Sequence, residues 1–167
     1  DYITRVGDPI GSYFLYVEDG VFANQAEVDA VPHFPGARPG DIRYVDVDGD
    51  GDIDTDDRKI VGSYNPDYTL GGRIKLKYKY FDLGISATSV QGNEILNLHR
   101  RYSYNITGNF NQLGDAVNRW RSESDPGDGQ TIRAKSSTGK NSLISTRHVE
   151  DASFIRIQNI AFGYNVP

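Results

Sequence analysis

Cysteine and methionine are both missing from the 167 residues, and tryptophan occurs once. Without Cys there can be no disulfide, no zinc–thiolate centre and no thiol nucleophile, and the redox compartment stays open. No apolar run approaches the roughly eighteen residues that a membrane-crossing helix needs. That excludes a helical span but not a membrane β-barrel, whose strands alternate and so average to a polar composition. An excess of positive charge is lacking too. The formal net charge of −5 argues against a nucleic-acid partner. There is no low-complexity tract, fixed-period repeat or signal peptide. The chain opens on Asp1 and closes on Val166-Pro167, so it reads as a piece of something longer.

Catalytic patterns are also lacking. His33, His99 and His148 lie far apart without a His-x-x-x-His pair, and the sequence places them on surface loops. There is no Gly-x-Ser-x-Gly elbow, no phosphate-binding glycine loop and no isolated carboxylate pair in an apolar setting, so no enzyme is expected. Asn105-Ile106-Thr107 fits a glycosylation sequon, a pattern too common to carry weight. Lys140, Arg147 and Arg100-Arg101 read as solvated loop charges.

What the chain does contain is 18 Gly, 11 Tyr and 7 Phe, which favours strands and turns over helices. Ser12–Val17, running on to Val21-Phe22, reads as a strand. Arg73 to Lys79 alternates strictly, with Ile74, Leu76 and Tyr78 on one face and four cations on the other. Past Tyr80 the alternation resumes as Phe81, Leu83, Ile85 and Ala87. This is a tight hairpin whose arms, about ten residues each, are long enough for tilted strands to cross a bilayer. The last strand, Phe154–Tyr164, switches its apolar phase at Asn159, which predicts a bulge. Residues 23–68 and 92–152 read as long connections, with at most a helical turn near Gln25–Val31 and a short helix around Asp115–Arg121. One minimal turn alternating with very long connections is the layout of an outer-membrane barrel, with the long loops extracellular. The expected fold class is thus all-β: antiparallel strands of a partial transmembrane β-barrel. Four strands, including 12–22, fall well short of the minimum of about eight that closes a barrel, so partners or missing chain must complete it.

The densest signal is Asp46-Val-Asp48-Gly-Asp50-Gly51-Asp52-Ile53-Asp54-Thr-Asp-Asp57. A hard divalent cation takes oxygens from positions one, three, five, seven, nine and twelve of such a loop. Those positions are Asp46, Asp48, Asp50, Asp52, Asp54 and Asp57. Gly51 falls where the chain turns sharply, and Ile53 where an apolar side chain anchors the loop. The closing residue is Asp rather than the usual bidentate Glu, which narrows the preference for calcium over magnesium. The flanks are not helices, so this is a calcium-type loop without a paired EF-hand. Its ion is expected to be structural. The alternative is a solvated acidic turn, although so many carboxylates would repel one another without a counter-charge.

Several stretches together, in order, resemble the C-terminal region of SusC/RagA-type TonB-dependent outer-membrane transporters. They are Gly7-Asp-Pro-Ile-Gly11 with Asp19-Gly-Val-Phe22; Pro39-Gly-Asp-Ile42 leading into the acidic loop; Asp57-Arg58 through Val61–Tyr68; Phe81-Asp-Leu83; Gln91–Ile95; Asn118-Arg-Trp120; and Glu150–Ile160 ending Gly163–Pro167. Ala152 stands where the family often has Gly, and Asp48 where it often has Asn. The resemblance implies a 22-stranded barrel around a plug and an outer-membrane location. It implies energisation by TonB through a segment absent here, a SusD-like surface lipoprotein as lid, and an oligosaccharide or peptide substrate. Trp120 and the Tyr102/Tyr104 pair could stack on sugars, but Trp120 reads first as a packing residue. The competing class is a soluble, calcium-stabilised β-sandwich adhesion or glycan-binding module. A third is a hydrolase fragment whose active site lies elsewhere.

Overall fold

Two kinds of strand grow from the two kinds of pattern. In the computed structural model, which describes residues 1–104, 106, 111–134 and 139–166, the chain divides into two units. The first comprises Asp1–Gly62 and Leu96–Glu150, the second Ser63–Ile95 and Asp151–Pro167. The sequon at 105–107 lies outside the described residues, save Ile106.

The first unit is built from short strands and turns. β1 (Tyr2–Ile3), β2 (Ser12–Tyr16) and, further on, a strand at Arg58–Gly62 form a three-stranded antiparallel sheet with β2 in the middle. β3 (Glu18–Val21) pairs with β4 (Ile42–Tyr44), and the Arg58–Gly62 strand is β5. Between β3 and β4 lies α1 (Gln25–Ala30), capped by Asn24, whose side chain accepts the Glu27 N–H at 2.9 Å. The core gathers Val21, Ile42, Tyr44, Ile53, Ile106 and Ile132, with Tyr16, Phe34 and Trp120 packed against it. The rings of Tyr16, Phe34 and Tyr44 meet edge to face at 5.5–5.9 Å.

This arrangement corrects one expectation. The segment 12–22 is not a long strand beside the hairpin. It breaks at Val17, and its first half is a buried central strand, with Tyr13 and Leu15 only 4% and 1% exposed. Residues 23–62 and 96–150, which fall within the long connections expected over 23–68 and 92–152, supply much of this unit's core. They hold a short helix α2 (His99–Ser103) and 3₁₀ turns at Gly114–Asn118 and Thr146–His148. The short helix expected around Asp115–Arg121 is the first of these turns. The chain crosses between units at Gly62-Ser63 and within the paired strands β8 (Glu94–Leu96) and β9 (Val149–Asp151).

The second unit is a three-stranded antiparallel sheet of eleven-residue strands: β6 (Tyr68–Tyr78), β7 (Phe81–Gln91) and β10 (Phe154–Tyr164), with β7 central. Lys79 and Tyr80 alone join β6 to β7, and Lys79 sits in the left-handed region at φ 51°. The register aligns apolar residues in cross-strand rows: Tyr78–Phe81–Tyr164, Leu76–Leu83–Phe162, Ile74–Ile85–Ile160 and Gly72–Ala87–Ile157. The expected bulge is present. Pairing slips between Ile157 and Asn159, so Gln158 is extra and Ile157 and Ile160 share one face. That face stays bare, with Ile155 77% and Phe162 70% exposed.

Candidate metal centre

The acidic loop leaves β4 and returns into β5, and its backbone is organised by its own carboxylates. Asp46 accepts the N–H of Gly49 at 2.6 Å and of Gly51 at 3.0 Å. Asp48 accepts from Asp50, Asp50 from Asp52, and Asp54 from Asp56. These are Asx turns, in which a short side chain caps backbone two or three residues on. Gly49 and Gly51 take φ values of 79° and 94°, which a side-chain-bearing residue would adopt only with strain. Ile53 is 5% exposed within the unit's core, as its place in the motif anticipated.

The six predicted ligands fall into three groups. Asp46, Asp48 and Asp50 each bring a carboxylate oxygen within 4.8 Å of the others, on the solvent side. The Asp48 carboxyl is raised above its ordinary value. The Asp50 N–H bonded to it works the other way, but partial desolvation and the charges of Asp50, Asp57 and Asp46 prevail. Asp52 and Asp54 are exposed and outside that cluster. Asp57 is only 1% exposed, and it ties the loop's two ends together. Its Oδ1 accepts from Val47 N and its Oδ2 from Asp54 N, both at 2.7 Å. Three carboxylates are thus close enough to share one ion, while the twelfth position closes the loop through hydrogen bonds.

Other groups tie this unit together, most of them in roles the sequence did not reveal. Asp41, fully buried, accepts from Arg133 Nε at 2.9 Å, Asn141 Nδ2 at 2.8 Å and Arg38 N at 3.0 Å. The only signal for it was its place in the Pro39–Ile42 stretch. Arg147, expected to be solvated, lays its Nε against both oxygens of the mostly buried Glu18 at 2.9 Å. Arg100 binds Glu150 and the Tyr104 hydroxyl. His148 is also not a surface residue. It is 3% exposed, closes a capping box with Ser145, and has its pKa pushed down to about 4 by burial, with Arg147, Arg101 and Arg100 adding to the effect. Trp120 packs over Gly40 and donates its Nε1–H to Ala23 O at 2.9 Å, which is the packing role expected of it.

Taken together, these features define an all-β chain that joins an acidic, Asx-turn loop on a small core to an amphipathic sheet of long strands. No family model matches it. Its curated relatives are receptors. TonB-dependent receptor P3 of Formosa agariphila is 34% identical over 99% of this chain, and TonB-dependent receptor P26 of the same organism is 34% identical over 89%. TonB-dependent receptor SusC of Bacteroides thetaiotaomicron is 25% identical over 99%. The resemblance read from the sequence is therefore borne out: the chain is homologous to a segment of SusC-type TonB-dependent receptors. It spans 15–16% of the length of these relatives.

Proposed function

We propose that the chain is part of the barrel wall and exterior loops of an outer-membrane, TonB-energised nutrient transporter, and that these residues perform no catalysis. The observation that carries the reading is the β6–β7–β10 sheet. Its bare face is apolar, save for Ser89 between Leu70 and Ile155, from that row to Tyr78 and Tyr164, with Tyr68 beyond Leu70. Tyr68 to Tyr78 covers about 34 Å along the strand at 3.4 Å per residue. Tilted by about 40°, that length projects to roughly 26 Å, near the height of the apolar band of an outer-membrane barrel. Aromatic rings stand at both ends, as at membrane–water interfaces: Tyr68 at one, and Tyr78, Phe81 and Tyr164 at the other. In water such a face would be a liability, whereas against lipid it is matched. The Lys79-Tyr80 turn is then periplasmic and the long connections are extracellular. TonB, a SusD-like surface lipoprotein and an oligosaccharide or peptide cargo are the partners this reading supplies.

The acidic loop is proposed to bind calcium as a structural ion, with magnesium the weaker competitor. Asp46, Asp48 and Asp50 would hold it through side chains, Asp52 through its carbonyl, and Asp54 and Asp57 would complete the shell. The gathered carboxylates and the glycine turns support this, and each Asp57 oxygen keeps a lone pair beside its N–H bond.

The test of the barrel reading is spin-label accessibility along β6, β7 and β10 in the full-length receptor reconstituted in lipid. Labels at Ile74, Leu76, Leu83 and Ile160 are expected to be relaxed by oxygen, which partitions into lipid. Labels at Arg73, Lys75, Ser86 and Asn159 are expected to respond to a water-soluble nickel chelate. Absence of this alternation would sink the reading.

A further inference from the structure

Lipid accounts for only one face of the β6–β7–β10 sheet. On the other, the cross-strand rows run Lys77–Asp82–Gly163, Lys75–Gly84–Ala161, Arg73–Ser86–Asn159 and Gly71–Thr88–Arg156. Four cations thus face one carboxylate, within a chain of net charge −5. Asp82 can offset at most one of them. It accepts from Asn165 Nδ2 at 3.2 Å and leans over Gly163, so its cross-strand neighbour Lys77 forms no ion pair among the described residues. The side chains of Arg73 and Lys75 have no hydrogen-bond or ion-pair partner among those residues either, and Arg156 rests on the Phe154 ring at 4.9 Å.

These cations also border open space. Small residues at Gly84 and Ala161 floor two adjoining hollows of about 190 and 290 Å³. Arg73, Lys75, Ser86 and Asn159 line the first, and Lys75, Lys77 and Asp82 the second. Nothing stands within 4 Å of where a side chain at Gly84 would begin. Along β6 the cations repeat about every 7 Å, the spacing of alternate residues in a strand. A regular file of charge without ion-pair partners among the described residues, beside a trough, attracts and orients an extended polyanion.

We propose that this face is an anion-binding wall and that its ligand is an extended acidic solute, an oligosaccharide bearing carboxylate or sulfate groups. The proposal rests on the barrel reading, under which this face lines the lumen. A solute is favoured over an acidic protein segment on two grounds. The floor at Gly84 and Ala161 admits a ring-sized group, and Ser86 and Asn159 offer neutral hydrogen-bonding partners to hydroxyls between the acidic groups.

The experiment measures binding of short dextran sulfate, and of uncharged dextran of equal length, to the full-length receptor at low and physiological salt. Dextran sulfate is expected to bind more tightly than dextran, and more weakly as salt rises. Combining R73Q, K75Q and K77Q is expected to weaken it about tenfold or more, as loss of close charge pairs does. The charge-preserving pair R73K and K75R should bind as the parent does, which separates charge from folding. Equal binding by parent and glutamine variant overturns the proposal. So does a parent that does not prefer dextran sulfate, the result expected if an acidic protein segment already covers the wall. The spin labels keep the two readings apart. If labels at positions 73 and 75 are relaxed by oxygen as lipid-facing ones are, the barrel reading itself fails. If they are not, and dextran sulfate is not preferred, only the acidic ligand is lost.

Discussion

At the residue scale the acidic loop holds aspartates of two kinds, and they should respond differently to the same isosteric change. Asp57 is buried and accepts two backbone N–H groups, so Asp57→Asn turns an amide toward one of those donors. A cost of about 1–3 kcal/mol to the first unit is expected, read from denaturant unfolding or amide exchange, with or without calcium. Asp48 and Asp50 face solvent and each accepts its turn hydrogen bond through one oxygen, which Asn can still do. The pair Asp48→Asn with Asp50→Asn is therefore expected to leave the calcium-free loop unchanged but abolish the protection that millimolar calcium confers on residues 46–57. Equal protection in both proteins would refute the ion site. His148 gives a pH signature. Its folded-state pKa of about 4 lies below the ordinary 6.5, so the unfolded chain binds the extra proton between these values. Stability thus falls as pH drops from 6.5 to 4, by on the order of 2–3 kcal/mol, and no further from this group below that. His148→Gln should flatten that slope in pH-dependent unfolding. Of the loop, Gly51 and Ile53 were legible because spacing alone dictates a turn and an anchor. The buried role of Asp57 was not, because it depends on a fold that hides one carboxylate and exposes its neighbours.

At the element scale, period-two alternation made the β6–β7 hairpin and β10 readable, since a sheet with one apolar face writes that face into every second residue. The same reasoning failed for β2. A short aromatic run looks alike in a membrane wall and in a small core, and only pairing with β1 and β5 tells them apart. The bulge at Gln158 is the element most open to test. Deleting Gln158 forces either Ile155 and Ile157, or Ile160, Phe162 and Tyr164, onto the cationic face. The full-length receptor is then expected to lose its folded, heat-modifiable band in outer membranes, while a Gln158→Ala variant keeps it. Lys79 offers a smaller effect. Asn tolerates its left-handed backbone better, so Lys79→Asn should stabilise the hairpin by up to about 1 kcal/mol in urea unfolding of the receptor.

At the scale of the whole molecule, the first unit is assembled from two stretches that the β6–β7 hairpin separates in the sequence. Asp41 meets Arg133 92 residues later and Asn141 100 residues later, and Glu18 waits 129 residues for Arg147. During synthesis, then, the acidic loop exists well before the side chains that seat it have been made. Closing so long a span costs chain entropy before any of these contacts repays it, and folds dominated by distant contacts form slowly. Until those later residues are made, Ile42 and Ile53 lack the contribution of Ile106 and Ile132 to their core. On the barrel reading, periplasmic holding factors that shield apolar segments should accordingly bind a chain ending near residue 95 more strongly than one ending at 150.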